Sequence, residues 1–144
     1  MSRLKPVVTG ILAMAAMIGL LLVVPFETAA QQAGSGDPAA GVIRISPAEV
    51  YQKVTKADAV LVCAFKQEAM CKSIWIEGAV SLNQFEAGLS RIKKDQAIIF
   101  YCGSGMTSER VAATYRKMGY TNIMTLDGGI EAWKEAGYGL VEKQ

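Results

Sequence analysis

The sequence predicts an α/β domain of about five parallel strands with helices on both faces, preceded by an N-terminal apolar helix, and three observations carry that expectation. Residues 59–64 and 97–101 are short apolar runs with β-branched or aromatic character, which suits strands buried on both faces. Stretches with helical spacing and helix-start signatures lie between such runs. Strand and helix alternate throughout, the pattern of a parallel sheet covered on both sides with its reactive groups at the carboxyl ends of the strands.

The chain has 144 residues, enough for one domain and not for two. Its hydrophobic content of 51% is high for a soluble domain, and the excess is concentrated at the N-terminus. Arg3 and Lys5 precede residues 7–24, an uncharged apolar run of eighteen residues; Pro25 then breaks it, and Thr28, Ala29 and Ala30 offer a small-residue cleavage site before Gln31. The run is longer than a usual signal core and just long enough to span a bilayer. Residues 1–30 are therefore a signal peptide or a membrane anchor. Cleavage after about Ala30 is preferred because the small residues follow the proline, and in both cases the remainder is exported to the periplasm or cell surface. Residues 31–41 are small, polar and rich in glycine, the composition of a flexible linker, so the folded domain is expected over 42–144.

Within it, residues 42–45 form a first short strand. Ser46, Pro47 and Glu49 then start a helix as cap, first helical residue and capping-box partner, and it runs to about Lys56, burying Val50 and Val54. Residues 59–64 are the second strand. Residues 65–77 read as irregular, with Met70, Ile74 and Trp75 covering part of the core. Residues 78–82 give a third strand, and Asn83 with Glu86 suggests a capped helix reaching about Ile92. After the fourth strand, 97–101, Thr107 or Ser108 caps a helix with Val111, Tyr115 and Met118 on one face, closed by Gly119. Residues 122–126 are the fifth strand; Asp127, Gly128 and Gly129 turn the chain into a last short helix anchored by Trp133.

Chemistry is expected where the fourth strand ends. Cys102 leaves it into Gly103-Ser104-Gly105, facing the start of the next helix. The helix's unpaired N–H groups and positive dipole end favour an anion there, and a thiolate is the best one available. Such placement lowers a cysteine pKa and makes it nucleophilic near neutral pH, while the flanking glycines let backbone N–H groups converge. A buried cysteine after a strand is also common as inert packing. Histidine is absent, which removes Cys–His dyads and most zinc sites, and three widely spaced cysteines make a poor metal set. No metal and no cofactor is expected. Lys plus Arg number 15 against 13 Asp plus Glu, and the net charge of +2 gives no argument for nucleic acid or for a membrane surface beyond the N-terminal segment.

The stretch I-I-F-Y-C-G-S-G-M-T-S-E-R-V-A-A-T-Y-R-K-M-G-Y, followed by L-D-G-G-I-E-A-W-K-E-A-G, resembles a single rhodanese domain, and the resemblance covers about residues 45–140. It implies a rhodanese-like fold and sulfurtransferase chemistry: Cys102 takes a sulfane sulfur from a small donor such as thiosulfate or mercaptopyruvate and passes the persulfide sulfur to a thiol or cyanide-like acceptor, or to an acceptor protein. It also implies a cradle of backbone N–H groups from Cys102, Gly103, Ser104, Gly105, Met106 and Thr107, with Ser108 following as a further substrate-binding residue. The loop is similar to the C-G-S-G-V-T loop of mercaptopyruvate sulfurtransferases, with Met106 in place of Val. The sequence departs from the family at Thr107, where many single-domain members carry Arg, and at Cys63-Ala64-Phe65, which replaces Asp-Val-Arg. Phosphatases on the same fold match poorly, since they need a longer loop ending in a phosphate-binding Arg.

In the arrangement the resemblance implies, the strand ending near Cys63 lies beside the one ending at Cys102. Three fates for Cys63 follow: redox coupling to Cys102, a disulfide with Cys71, or buried packing. An alternative reading is a thiol–disulfide or sulfur-relay protein using Cys102 with Cys63 or Cys71 as redox partner, and a binding module that keeps the fold without turnover is a further one.

Overall fold

The computed structural model describes residues 41–143. The expected signal or anchor, and all of the expected linker except Gly41, lie outside the described residues.

Five parallel strands form one sheet: β1 (Ile43–Ile45), β2 (Val60–Cys63), β3 (Val80–Ser81), β4 (Ile98–Tyr101) and β5 (Ile123–Leu126), in the order β1-β5-β4-β2-β3. The central strand, β4, is buried along its whole length. Ile99 and Tyr101 face one layer, built on α1 (Pro47–Thr55), α2 (Glu68–Lys72) and α5 (Gly129–Glu135); Ile98 and Phe100 face the other, built on α3 (Leu82–Ala87) and α4 (Met106–Lys117). This is why its sequence is continuously apolar instead of alternating.

Local signals explain the elements. The predicted capping box opens α1: Ser46 Oγ accepts from the Glu49 N–H at 3.3 Å, and the Glu49 carboxylate accepts from the Ser46 N–H at 3.0 Å. Gly119, at φ 92°, closes α4 with the Gly119 N–H donating to the Arg116 carbonyl and the Tyr120 N–H to the Tyr115 carbonyl, the Schellman pattern. Trp133 is buried as expected and donates its indole N–H to the Gly139 carbonyl at 3.0 Å.

Four expectations need correction. The helix after β3 is capped by Ser81 with Gln84, not by Asn83 with Glu86, and it stops at Ala87 before a separate 3-10 turn, Leu89–Arg91. Ser81 is the last residue of the strand, so strand and cap share it and the sequence shows no punctuation between them. The stretch read as irregular contains α2, and Met70 on it is 44% exposed instead of covering the core. The helix after Cys102 begins at Met106 on Gly105, ahead of Thr107 and Ser108. Its buried face carries Ser108, Ala112, Ala113 and Tyr115, while Met118 is exposed: two small alanines let the helix approach the sheet closely.

Candidate active site

Cys102 follows the last residue of β4, at the carboxyl end of the sheet's middle strand, and is buried. The chain then turns through Gly103, Ser104 and Gly105 into α4. Gly105 adopts φ 101°, a conformation that residues with a side chain rarely take, and this turns its N–H back toward the sulfur. Cys102 Sγ accepts from the Gly105 N–H at 3.1 Å and the Ser108 N–H at 3.4 Å.

Gly105 is the N-cap of α4 and has no side chain to cap it. The Ser108 N–H, third in the helix, is the donor a cap side chain normally satisfies. Here the cysteine sulfur takes that place. The N–H groups of Met106 and Thr107, the first two of the helix, have no partner among the described residues. The twelve-residue helix thus starts at the sulfur with its positive end, which bonds Sγ through the Ser108 N–H. Glu109 would oppose an anion from the first turn, but its carboxylate pairs with Arg44 of β1 at 2.7 Å.

Ser108 also acts through its side chain. The hydroxyl is buried, donates to the Gly105 carbonyl at 2.7 Å and lies 3.6 Å from Sγ, within reach of the thiol proton. The side chains of Ser104 and Thr107 make no bond to the sulfur among the described residues. Ser104 is exposed at the loop's tip, Thr107 is half-buried, and Met106 stands 73% exposed beside them. Gly103 has no positive φ, and a methyl group there would meet open space. Of the two glycines, Gly105 alone is demanded by its own backbone.

Two contributors escaped the sequence reading. The Ile130 N–H, at the start of α5, donates to the carbonyls of Cys102 at 3.1 Å and Gly103 at 2.9 Å. Gly129, before it, lies so close that a methyl group there would sit 2.7 Å from the Cys102 oxygen and collide with the Gly103 oxygen. The Asp-Gly-Gly turn was legible as a turn, but not as a clamp on the cysteine loop twenty-six residues away in sequence.

Cys63 pairs with Cys71 in a disulfide, and Cys102 is a free thiol. Of the three fates open to Cys63, the structure shows the disulfide with Cys71, not a bond to Cys102 or free packing, although the strands of Cys63 and Cys102 are neighbours. In the β2–β4 register Cys63 stands opposite Tyr101, so it faces the same layer as Tyr101; Cys102, one residue later, faces the other. Adjacent positions on a strand point to opposite faces. Tyr101 packs against the disulfide's layer and accepts the Ile76 N–H on its phenol oxygen at 3.4 Å; burial pushes that phenol up to about 12, against the smaller lowering effect of the Ile76 bond.

The rhodanese-like domain family matches residues 46–136, well over half of the chain. The chain belongs to that family. A sulfurtransferase of Allochromatium vinosum is 38% identical over 53 residues, 37% of this chain and 50% of that protein, so the chain spans about half of that relative's length. A thiosulfate sulfurtransferase of Pseudoalteromonas translucida is 28% identical over 101 residues, covering 69% of this chain and 95% of that one. Among solved structures, a human single-domain sulfurtransferase superposes with a TM-score of 0.56 at 21% identity, over 66% of this chain and 97% of its own. The rhodanese-like fold is thus shared well beyond the similarity of the sequences.

Proposed function

We propose that this rhodanese-like protein is an exported sulfurtransferase that moves a sulfane sulfur from a small donor such as thiosulfate or mercaptopyruvate to a thiol or cyanide-like acceptor, through a persulfide on Cys102. The observation that carries the reading is the pair of backbone N–H groups, of Gly105 and Ser108, bonded to Sγ at the start of α4, where those of Met106 and Thr107 have no partner among the described residues. Fixed N–H donors at the start of a helix face the atom on which the charge of a persulfide chemistry would be carried. The absence of histidine is compatible with that chemistry.

With thiosulfate, the Cys102 thiolate attacks the sulfane sulfur. A new sulfur–sulfur bond forms on Sγ, the donor's own sulfur–sulfur bond breaks, and sulfite leaves with the electron pair. The outer persulfide sulfur now carries the negative charge, and the unpartnered N–H groups of Met106 and Thr107 are the donors available to it. An acceptor thiolate then attacks that outer sulfur and releases the Cys102 thiolate. With mercaptopyruvate the bond broken is carbon–sulfur, and pyruvate leaves as its enolate and takes up a proton. Residues 97–108 carry no charged side chain, so recognition of either donor falls to backbone N–H groups and the hydroxyls of Ser104 and Thr107.

Export is supported by the basic start and apolar run of residues 1–24 and by the Cys63–Cys71 disulfide, which persists in an oxidising compartment. The mature protein is either released after about Ala30 or held by residues 7–24.

Incubation with each donor followed by intact-mass measurement tests the chemistry. The protein should gain one sulfur atom, lose it to added cyanide or thiol, and fail to gain it as Cys102→Ser. Donor binding without gain of sulfur would overturn the reading in favour of a binding module. N-terminal sequencing of the native protein tests export: a start near Gln31, or a full-length membrane-bound chain, is expected, and a soluble full-length cytoplasmic protein would overturn it.

A further inference from the structure

The chain's net charge of +2 conceals a local concentration of positive charge at the end of the sheet opposite Cys102. Helices in this fold run back against the strands, so α4 ends near the amino end of β4, where the chain enters that strand. Arg116 and Lys117 lie in the last turn of α4, and the segment leading into β4, which carries Lys93 and Lys94, reaches the end of that helix. The contact is direct: Lys94 Nζ donates to the Met118 carbonyl at 3.0 Å and stands 3.8 Å from the centre of the Tyr120 ring. Asp95 is the carboxylate next to these four cations in sequence, and none of the four forms an ion pair among the described residues. Met118, in their midst, is 48% exposed.

Cations in the last turn of a helix suit its dipole, and that accounts for Arg116 and Lys117. Lys94, from another segment, also serves the helix end by donating to the Met118 carbonyl, but neither Lys93 nor the exposed Met118 is accounted for in this way. A second observation ties the patch to the chain's N-terminal side. At Gly41 an added methyl group would stand 3.0 Å from the Arg116 guanidinium, so the polypeptide enters the described domain beside the patch. Sixteen residues separate that point from the apolar run ending at Val24. At no more than about 3.5 Å each, they keep this end of the domain within roughly 55 Å of any membrane the run occupies.

We propose that Lys93, Lys94, Arg116 and Lys117 form a docking surface for the anionic headgroups of a bilayer, with Met118 entering the interfacial zone. The proposal rests on the anchored form of the reading above. Cations near an anionic leaflet are attracted within about a Debye length, and several at one end of the domain act together. Docking by this end turns Cys102, at the opposite end of the strands, away from the lipid and toward soluble donors and acceptors.

The test uses the full chain reconstituted into vesicles of phosphatidylcholine alone or with about a third phosphatidylglycerol. Amine acylation is read lysine by lysine by mass spectrometry. Lys93 and Lys117 should be acylated about five-fold more slowly on the anionic vesicles, while Lys66 and Lys72, on the segment after β2, should not change. The protection should vanish at about 1 M salt, where the Debye length falls to roughly 3 Å, and should fall at Lys117 in the variant Lys93→Glu and at Lys93 in the variant Lys117→Glu, both of which spare the contacts of Lys94. Equal acylation on both vesicles with the protein still bound would overturn the docking surface while leaving the anchor intact. If the protein floats with neither vesicle, anchor and surface both fail. Flotation with the anionic vesicles alone would remove the anchor and keep the surface.

Discussion

Cys102 is held by residues whose side chains do little and whose backbones do much, and this sets what single substitutions should show. Gly105 needs φ 101° to aim its N–H at the sulfur, so Gly105→Val should slow alkylation and persulfide formation at pH 7 by about ten-fold or more. Gly103→Ala should fold as well as the native protein, since its methyl group enters open space. An equal effect of the two on alkylation would show that the left-handed backbone is not what matters. Gly129→Ala acts through the loop: its methyl group would collide with the Gly103 oxygen, so sulfur transfer should fall by roughly 10- to 100-fold with the far-ultraviolet spectrum retained. Thr125 offers a converse case. Its hydroxyl is buried in β5 with no hydrogen-bond partner among the described residues. Thr125→Val keeps the shape and removes the stranded group, so it should stabilise the protein by about 1 kcal/mol, read by denaturant unfolding. Lower stability would mean that the hydroxyl is satisfied in solution.

At the scale of elements, α2 depends most on something outside itself. Five residues are too few for an independent helix, and its N-cap, Gln67, makes no side-chain capping bond. Its supports are the Cys71 disulfide to the end of β2, a Ser81 hydroxyl donating to the Glu68 carboxylate at 3.2 Å, and an Asn83 amide donating to the Lys66 carbonyl at 3.3 Å. Reduction should therefore destabilise the domain by about 2–3 kcal/mol, the chain-entropy value for so short a loop. Amide exchange should accelerate first in residues 65–77, and uniform acceleration would contradict this local role. The same segment shows where sequence reading stops. The apolar runs of β2, β4 and β5, the Ser46 box and the Gly119 terminus were legible because each is a local pattern read within a few residues. So was the placing of Cys102 between strand and helix. The partner of Cys63 was not legible, because it depends on which face each cysteine takes. One residue of register separates Tyr101 from Cys102 and sends Cys63 to the layer of Cys71. The clamp of Gly129 and Ile130 on the loop was hidden for a related reason: it exists through the adjacency of β4 and β5, which spacing along the chain does not reveal.

For the whole molecule, the two layers respond alike to alkaline pH, because each buries a phenol. Tyr101 lies in the layer of the disulfide, and burial raises it from 10.0 to about 12. Tyr115 lies in the other layer, stacked on Phe100 with ring centres 5.3 Å apart and donating to the Glu86 carboxylate at 3.1 Å. Burial raises it as well, and the Glu86 charge and hydrogen bond add to the effect. In both cases the fold prefers the neutral phenol more strongly than the unfolded chain does. The stability this contributes is therefore complete below about pH 10 and is lost as pH rises from there through the folded-state values. For Tyr101 the loss by pH 12 is about 2–3 kcal/mol. Tyr101→Phe should remove that part of the pH dependence. It also strands the Ile76 N–H, so the variant should begin about 1 kcal/mol less stable at pH 7 and then lose less than the native protein between pH 10 and 12. Denaturant midpoints taken across that range, with tyrosinate absorbance followed in parallel, would decide it: curves for the two proteins that stay parallel to pH 12 would show that Tyr101 ionises in the folded state no later than in the unfolded chain.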